Sequence, residues 1–320
     1  MLLVAIAAVF LASLMIGDQD IALRDIGRAL AGDAQLDPAT ALIVRDVRLP
    51  RALLALLVGG ALAVGGAITQ AAMRNPLAEP GLIGINGGAA LAVTILIVRL
   101  NDAPPEILPW LAFGGALAAT FLVYALSWRG GLSSGRVILI GIGVSALTAA
   151  AANFISAFGD VAAVQRAMIW LSGSVYDSRW SKVQVLALWL LPAVPVVWLA
   201  SRELDLLMFD DLSARGLGQS TDRVRVGMLF LCAAICGAAV AAAGLVAFVG
   251  LIAPHIARRV VGPSHAVLVP VSALAGGLLV LASDLAGRTV IAPAQLPVGL
   301  MTALLGAPFF GYLMWRKRYG

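Results

Sequence analysis

The run RLPRALLALLVGGALAVGGAITQAAM, residues 48–73, decides the fold. Beyond its two arginines it carries no charge. A helix needs about 20 mostly apolar residues to cross the hydrocarbon layer of a bilayer, and this run is long enough. Gly59, Gly60, Gly65 and Gly66 sit inside it. In lipid, where no hydrophobic force drives helices together, small residues of this kind let backbones approach closely.

Similar segments recur along the chain. They read as residues 2–16, 48–73, 83–98, 108–128, 137–158, 182–200, 226–244, 245–261, 266–285 and 297–315. The totals agree. Of 320 residues, 61% are hydrophobic and 12% charged, and the mean hydropathy is +0.97. A soluble protein of this length would carry far more polar surface. The expected fold is all-α, one polytopic transmembrane domain over residues 1–320 with about ten crossings and both ends on one side. Residues 1–17 lack the basic start of a signal peptide and are kept as a span.

Between the segments the polar chemistry is thin. Residues 18–46 carry a small amphipathic helix near 21–30. RNPLAEPG, residues 74–81, has two prolines and an Asn that break helix and favour a re-entrant turn. RGGLSSGR, 129–136, is a Gly/Ser turn, and 159–181 is a polar stretch with Trp170 and Trp180 at interfacial positions. The longest charged connector is LLMFDDLSARGLGQSTDRVRV, 206–226. Asp210, Asp211 and Ser213 suit the first turn of a short helix. Gly216 and Gly218 end it, and a second short helix starts at Ser220 or Thr221. Flanked by Arg202, Arg215, Arg223 and Arg225, this pair of helices reads as a handle for a soluble partner. An ordinary connector is the plainer alternative.

Net charge is +5, and Lys182 and Lys317 are the only lysines. In a membrane protein such a balance concerns orientation and partner contact rather than nucleic acid. Basic residues divide twelve to ten between the two faces, which favours the face of 206–226 as cytosolic by a small margin. The many cations left on the outer face suit an acidic docking partner.

Several chemistries are excluded. Two histidines without a Cys/His cluster give no metal-ligand set. No Gly-Lys-Ser/Thr run exists for a phosphate loop. Cys232 and Cys236 lie four apart on one helix and read as packing residues. Asp284 is the one acidic residue within an apolar segment, so a carrier driven by ion binding at mid-membrane lacks its groups. A membrane-embedded enzyme lacks clustered acid and base residues. Energy for active transport would enter from another polypeptide at 206–226.

Residues 48–89, WLSGS (170–174), LSARGLG (212–218), GLVAFVGLIAPHIARRVVG (244–262) and LPVGLMTALLGAPFFGYLM (296–314) together resemble the permease subunits of bacterial ABC importers for iron siderophores, haem and cobalamin. IGIGV (140–144), PHIARR (254–259) and AQLPVG (294–299) are most similar to permeases for ferric enterobactin and other siderophores. Many family members carry Glu where Gln295 stands, a departure that disfavours a direct copy of the cobalamin case.

The resemblance implies a type II importer permease fold in the bacterial inner membrane, with both termini cytosolic. It implies no catalytic residue, metal or cofactor in this chain, ATP and Mg being used by a separate ATPase dimer. The other implied partners are a periplasmic or lipoprotein substrate-binding protein, a second permease, identical or paralogous, and a ferric siderophore. By position, Arg48, Arg51 and Arg288 match outer-face arginines that accept glutamates of the binding protein. Leu212, Ser213, Ala214, Arg215, Gly216, Leu217 and Gly218 match the coupling helix that sits on the ATPase. Asn75, Leu77, Ser133 and Ser134 match the cytosolic gate. Gly141, Gly143, Ser145, Thr148 and Asn153 match the lining of the translocation path, with the last segment beside it. His255 reads as a satisfied inner-end histidine, a haem ligand being the sharper alternative.

Overall fold

A computed structural model describes residues 1–100, 104–129 and 131–319; Asn101–Ala103 of one expected loop, Gly130 of another and Gly320 of the tail lie outside the described residues. The described residues form helices without strands. In chain order these are α1 (Leu2–Met15), α2 (Leu23–Ala31), α3 (Pro38–Leu42), α4 (Leu49–Met73), α5 (Ile85–Arg99), α6 (Leu108–Ser127), α7 (Ser134–Ala157), α8 (Val161–Leu171) and α9 (Trp180–Leu199). They continue with α10 (Ser201–Leu207), α11 (Asp211–Gly216), α12 (Thr221–Ala243), α13 (Val249–Val261), α14 (His265–Thr289) and α15 (Val298–Tyr319). Among the described residues, seven helices are long and apolar enough to span a bilayer. The other three expected crossings are the shorter α1, α5 and α13.

α4 is the axis of the bundle. Its side chains are buried almost throughout, and α14, α12, α13 and α9 pack around it. Its glycines explain the fit. A methyl on Gly59 would overlap the Gly276 carbonyl of α14, one on Gly66 the Gly250 carbonyl of α13, and one on Gly65 the Cys236 sulfur of α12. Small residues therefore place three helices directly against one backbone.

Several boundaries differ from the sequence reading. The second span starts at Pro38, since Asp37 caps it by accepting from the Thr40 N–H at 3.0 Å. A π turn over Ile43–Arg48 then joins α3 to α4. The stretch 159–181 contains α8, whose first N–H groups at Ala162 and Ala163 are capped by Asp160. The helix expected to be short at Ser220 or Thr221 is the first turn of the 23-residue α12. Residues 245–248 are not helical. They link α12 to α13, with Gly244 (φ 72°) and Phe248 (φ 67°) both in the left-handed region.

Candidate functional site

Two ends of the bundle carry the polar chemistry, about 37 Å apart along the 25 residues of α4 at 1.5 Å each.

At one end α11 stands on a fixed base. Asp210 caps it, accepting from Leu212 N and Ser213 N at 3.0 Å each and from the Ser213 hydroxyl at 2.6 Å. Gly218 closes the segment at φ 88°. Ala214 faces inward and is buried, while Leu212 and Leu217 stand 83% and 64% exposed. Arg215 donates to Thr221 Oγ1 at 3.1 Å and pairs with Asp222 at 2.9 Å. Asp211 pairs with Arg74 at 3.2 Å and Arg225 at 2.8 Å. Burial pushes the Asp211 carboxyl up, but the Arg225 hydrogen bond and the charges of Arg225, Arg74 and Arg215 outweigh it, so it lies below the usual carboxylate range. Asp210 is also held low, by the Ser213 hydroxyl and N–H. The result is a rigid step presenting two apolar side chains outward.

Beside this step the gate candidates come together. Asn75 Oδ1 accepts from Leu77 N at 2.9 Å, fixing the turn after α4. Ser134 Oγ donates to Ala72 O at 3.1 Å, tying the start of α7 to the last turn of α4. Ser133 precedes it, exposed.

Arg225 was read as part of a surface handle, and the structure corrects that: it is fully buried and bonds inward. One sequence signal marks it. An arginine one turn inside an apolar helix is costly unless paired, and Asp211 is its partner.

At the opposite end Arg51 lies against Asp284, Nη2 to Oδ1 at 2.9 Å and Nε to both carboxylate oxygens at 3.1 Å. Its Nη1 donates to Gln295 Oε1 at 3.0 Å. Arg48 donates to the carbonyls of Leu14, Met15 and Gln19. Arg288 donates to Ser13 O at 2.6 Å and Ser13 Oγ at 2.7 Å. The three arginines expected to receive the binding protein are held within the chain. All three are buried, because each guanidinium satisfies chain carbonyls or Asp284 where α1, α4 and α14 meet. They also line a cavity of about 620 Å³, together with Asp18, Asp46 and Asp177. The buried Arg288 Nε makes no hydrogen bond. A neighbouring cavity of about 850 Å³ is lined by Arg51, Arg166, Lys182, Trp170 and Gln295 among others.

The path candidates on α7 separate. Gly141 is buried, and a methyl there would overlap the Leu82 carbonyl. Thr148 is buried and donates to Val144 O and Ser145 O at 3.0 Å. These two pack α7 on the 80–88 segment. Ser145 is half-buried, and Gly143 and Asn153 are exposed. They border an exposed stripe of Leu139, Ile142, Leu147 and Phe154. His255 lies edge-on to Phe309, ring centroids 5.8 Å apart. No group of three or more His, Cys, Asp or Glu residues converges as a metal site among the described residues.

The described residues thus form a multi-pass bundle of apolar helices, with cavities at one end and the exposed α11 step at the other. The FecCD transport family model matches residues 3–316. The achromobactin transport system permease protein of Dickeya dadantii is 44% identical, over 99% of this chain and 90% of that one. The hemin transport system permease protein of Yersinia pestis is 38% identical, over 99% and 95%. A solved inward-facing metal-chelate type ABC transporter superposes with a TM-score of 0.88 at 30% identity, covering 98% of this chain and 97% of that one. The chain belongs to the FecCD transport family. It is a membrane permease and not an enzyme.

Proposed function

We propose that the chain is the membrane-spanning subunit of an ATP-driven importer in the bacterial inner membrane, passing a ferric siderophore from a binding protein to the cytoplasm. The observation that carries this is α11: a capped, salt-bridged step with Leu212 and Leu217 exposed on its outside. An apolar anchor of two leucines on a shallow glycine-flanked surface suits a groove on an ATPase dimer. That end is then cytosolic, as are both termini, and the Arg51 end faces the binding protein. There Arg48, Arg51 and Arg288 line one cavity and place positive charge beside an entering carboxylate. Asn75, Leu77, Ser133 and Ser134 form the cytosolic gate. A second permease, identical or paralogous, covers the α7 stripe, and Gly143, Ser145 and Asn153 border the path between the two.

A ferric siderophore is favoured over haem by donor chemistry. A fully chelated ferric ion has its coordination filled and asks nothing of the protein. The 850 Å³ cavity at the outer end offers Arg51, Arg166 and Lys182 for an anionic chelate.

The test is uptake by proteoliposomes holding this chain, its ATPase and its binding protein, with ⁵⁵Fe-labelled siderophores, haem and cobalamin offered in turn. ATP-dependent uptake of a ferric siderophore, abolished without the ATPase, is expected. Uptake on an ion gradient without the ATPase overturns the importer reading, and ATP-driven uptake of haem or cobalamin alone overturns the substrate.

A further inference from the structure

One side chain joins the coupling step to the gate. Arg225, fully buried in the second turn of α12, ends on three separate elements. Nε donates to Ala72 O at 3.2 Å in the last turn of α4. Nη1 donates to Leu132 O at 2.7 Å in the connection before α7. Nη2 donates to Asp211 Oδ1 at 2.8 Å in α11. The same two gate-side points are held again from other directions. Ala72 O also accepts from Ser134 Oγ at 3.1 Å. Leu132 N donates to Asp222 Oδ1 at 3.0 Å, and the other Asp222 oxygen pairs with Arg215 of α11. Arg74, which follows α4, pairs with Asp211 and donates to Phe209 O at 3.1 Å.

We propose that Arg225 is the positioning residue through which displacement of α11 reaches the gate, with Asp211 as its handle. This rests on the reading of α11 as the ATPase contact and goes beyond it. The guanidinium is planar and rigid, so its three bonds hold their acceptors in one fixed relation. Two of those acceptors are backbone carbonyls. A pull at Asp211 therefore acts on the chain itself, one residue from Met73 and Ser133, rather than on a side chain free to rotate. The ion pair opposes separation, because a buried guanidinium deprived of its carboxylate is strongly disfavoured. α11 and the ends that frame Asn75, Leu77, Ser133 and Ser134 accordingly shift together.

The experiment reads gate movement in the assembled permease–ATPase complex. Ser133→Cys provides an exposed label site, the native Cys232 and Cys236 being fully buried. The rate of its modification by a fluorescent maleimide is measured with and without ATP. Asp211→Asn cuts its ion pairs with Arg225 and Arg74 and leaves the bonds from Arg225 to Ala72 and Leu132. In that background the complex is expected to assemble and hydrolyse ATP, while the ATP-dependent change in labelling rate falls about tenfold, the scale of a typical coupling. Asp211→Glu, which keeps the carboxylate, restores the change. If Asp211→Asn only lowers thermal stability and keeps the wild-type labelling response, or if Asp211→Glu is as defective as Asn, the proposal is overturned. Failure of the parent chain to bind any ATPase overturns the proposed function instead, before the variants are compared.

Discussion

Gly59 and Gly276 meet backbone to backbone where α4 crosses α14: a methyl on either would overlap the carbonyl of the other. Neither side offers a flexible side chain to move aside. Gly59→Ala is therefore expected to cost about 1–3 kcal/mol, the range for overpacking a tight core. It should lower the midpoint of thermal unfolding in detergent. Gly143→Ala, with open space around it inside α7, should not lower that midpoint, since Ala is the better helix former. Equal behaviour of the two would remove close backbone approach as the reason for the glycine pairs.

The coupling step makes a second prediction. Leu212 and Leu217 are each exposed on the permease alone, and burying a leucine side chain stabilises by about 1.5–3 kcal/mol. Replacing both with Asp should reduce co-purification of the ATPase at least tenfold. Stability of the permease itself should change little, since both side chains are mostly exposed. Normal co-purification would place the ATPase contact elsewhere.

The pH response of this step has a definite sign. The Asp210 and Asp211 carboxyls are held below their ordinary value in the folded chain. A depressed folded pKa gives a contribution fully present above the unfolded value, near 4 for Asp, and lost as pH falls through the lower folded value. Hydrogen exchange in α11 should then keep constant protection from pH 8 to about 5 and lose it in more acid solution. A loss of protection near neutrality would mean that other groups hold α11.

At the other end Asp284 is the carboxylate that keeps Arg51 buried. Asp284→Asn leaves a buried guanidinium without its charge partner and should cost about 3–5 kcal/mol, read as a lower unfolding midpoint. The pair also changes how binding-protein docking is tested. Charge reversal at Arg48 or Arg51 disturbs α1, α4 and α14 together. Weakened capture of the binding protein by such a variant counts only where its unfolding midpoint matches the parent. Unaltered capture by a well-folded Arg288→Ala variant would count against that arginine as an acceptor of the partner's carboxylates.

The sequence alone carried the class of fold, the main spans and the family, because these depend on local quantities. An apolar run long enough to cross lipid is legible residue by residue, as for 48–73 and 226–244. So are a capping Asp before a short helix and glycines after it, as in α11. The order of long motifs along the chain did the rest. What each arginine does was settled only by the tertiary structure. Arg48, Arg51, Arg225 and Arg288 all read as surface cations, and all four are buried. Each bonds a residue far away in the chain, at separations of 34, 233, 153 and 275 positions, and no local pattern encodes a bond across such distances, although Arg225 and Arg288 also have nearer carboxylates in Asp211 and Asp284. The same holds for α7. Its small residues look alike in sequence, yet Gly141 and Thr148 pack on a neighbour while Gly143 and Asn153 stay exposed. Which face of a nearly uniform apolar helix is covered depends on the helices around it, and that is decided by the assembled bundle.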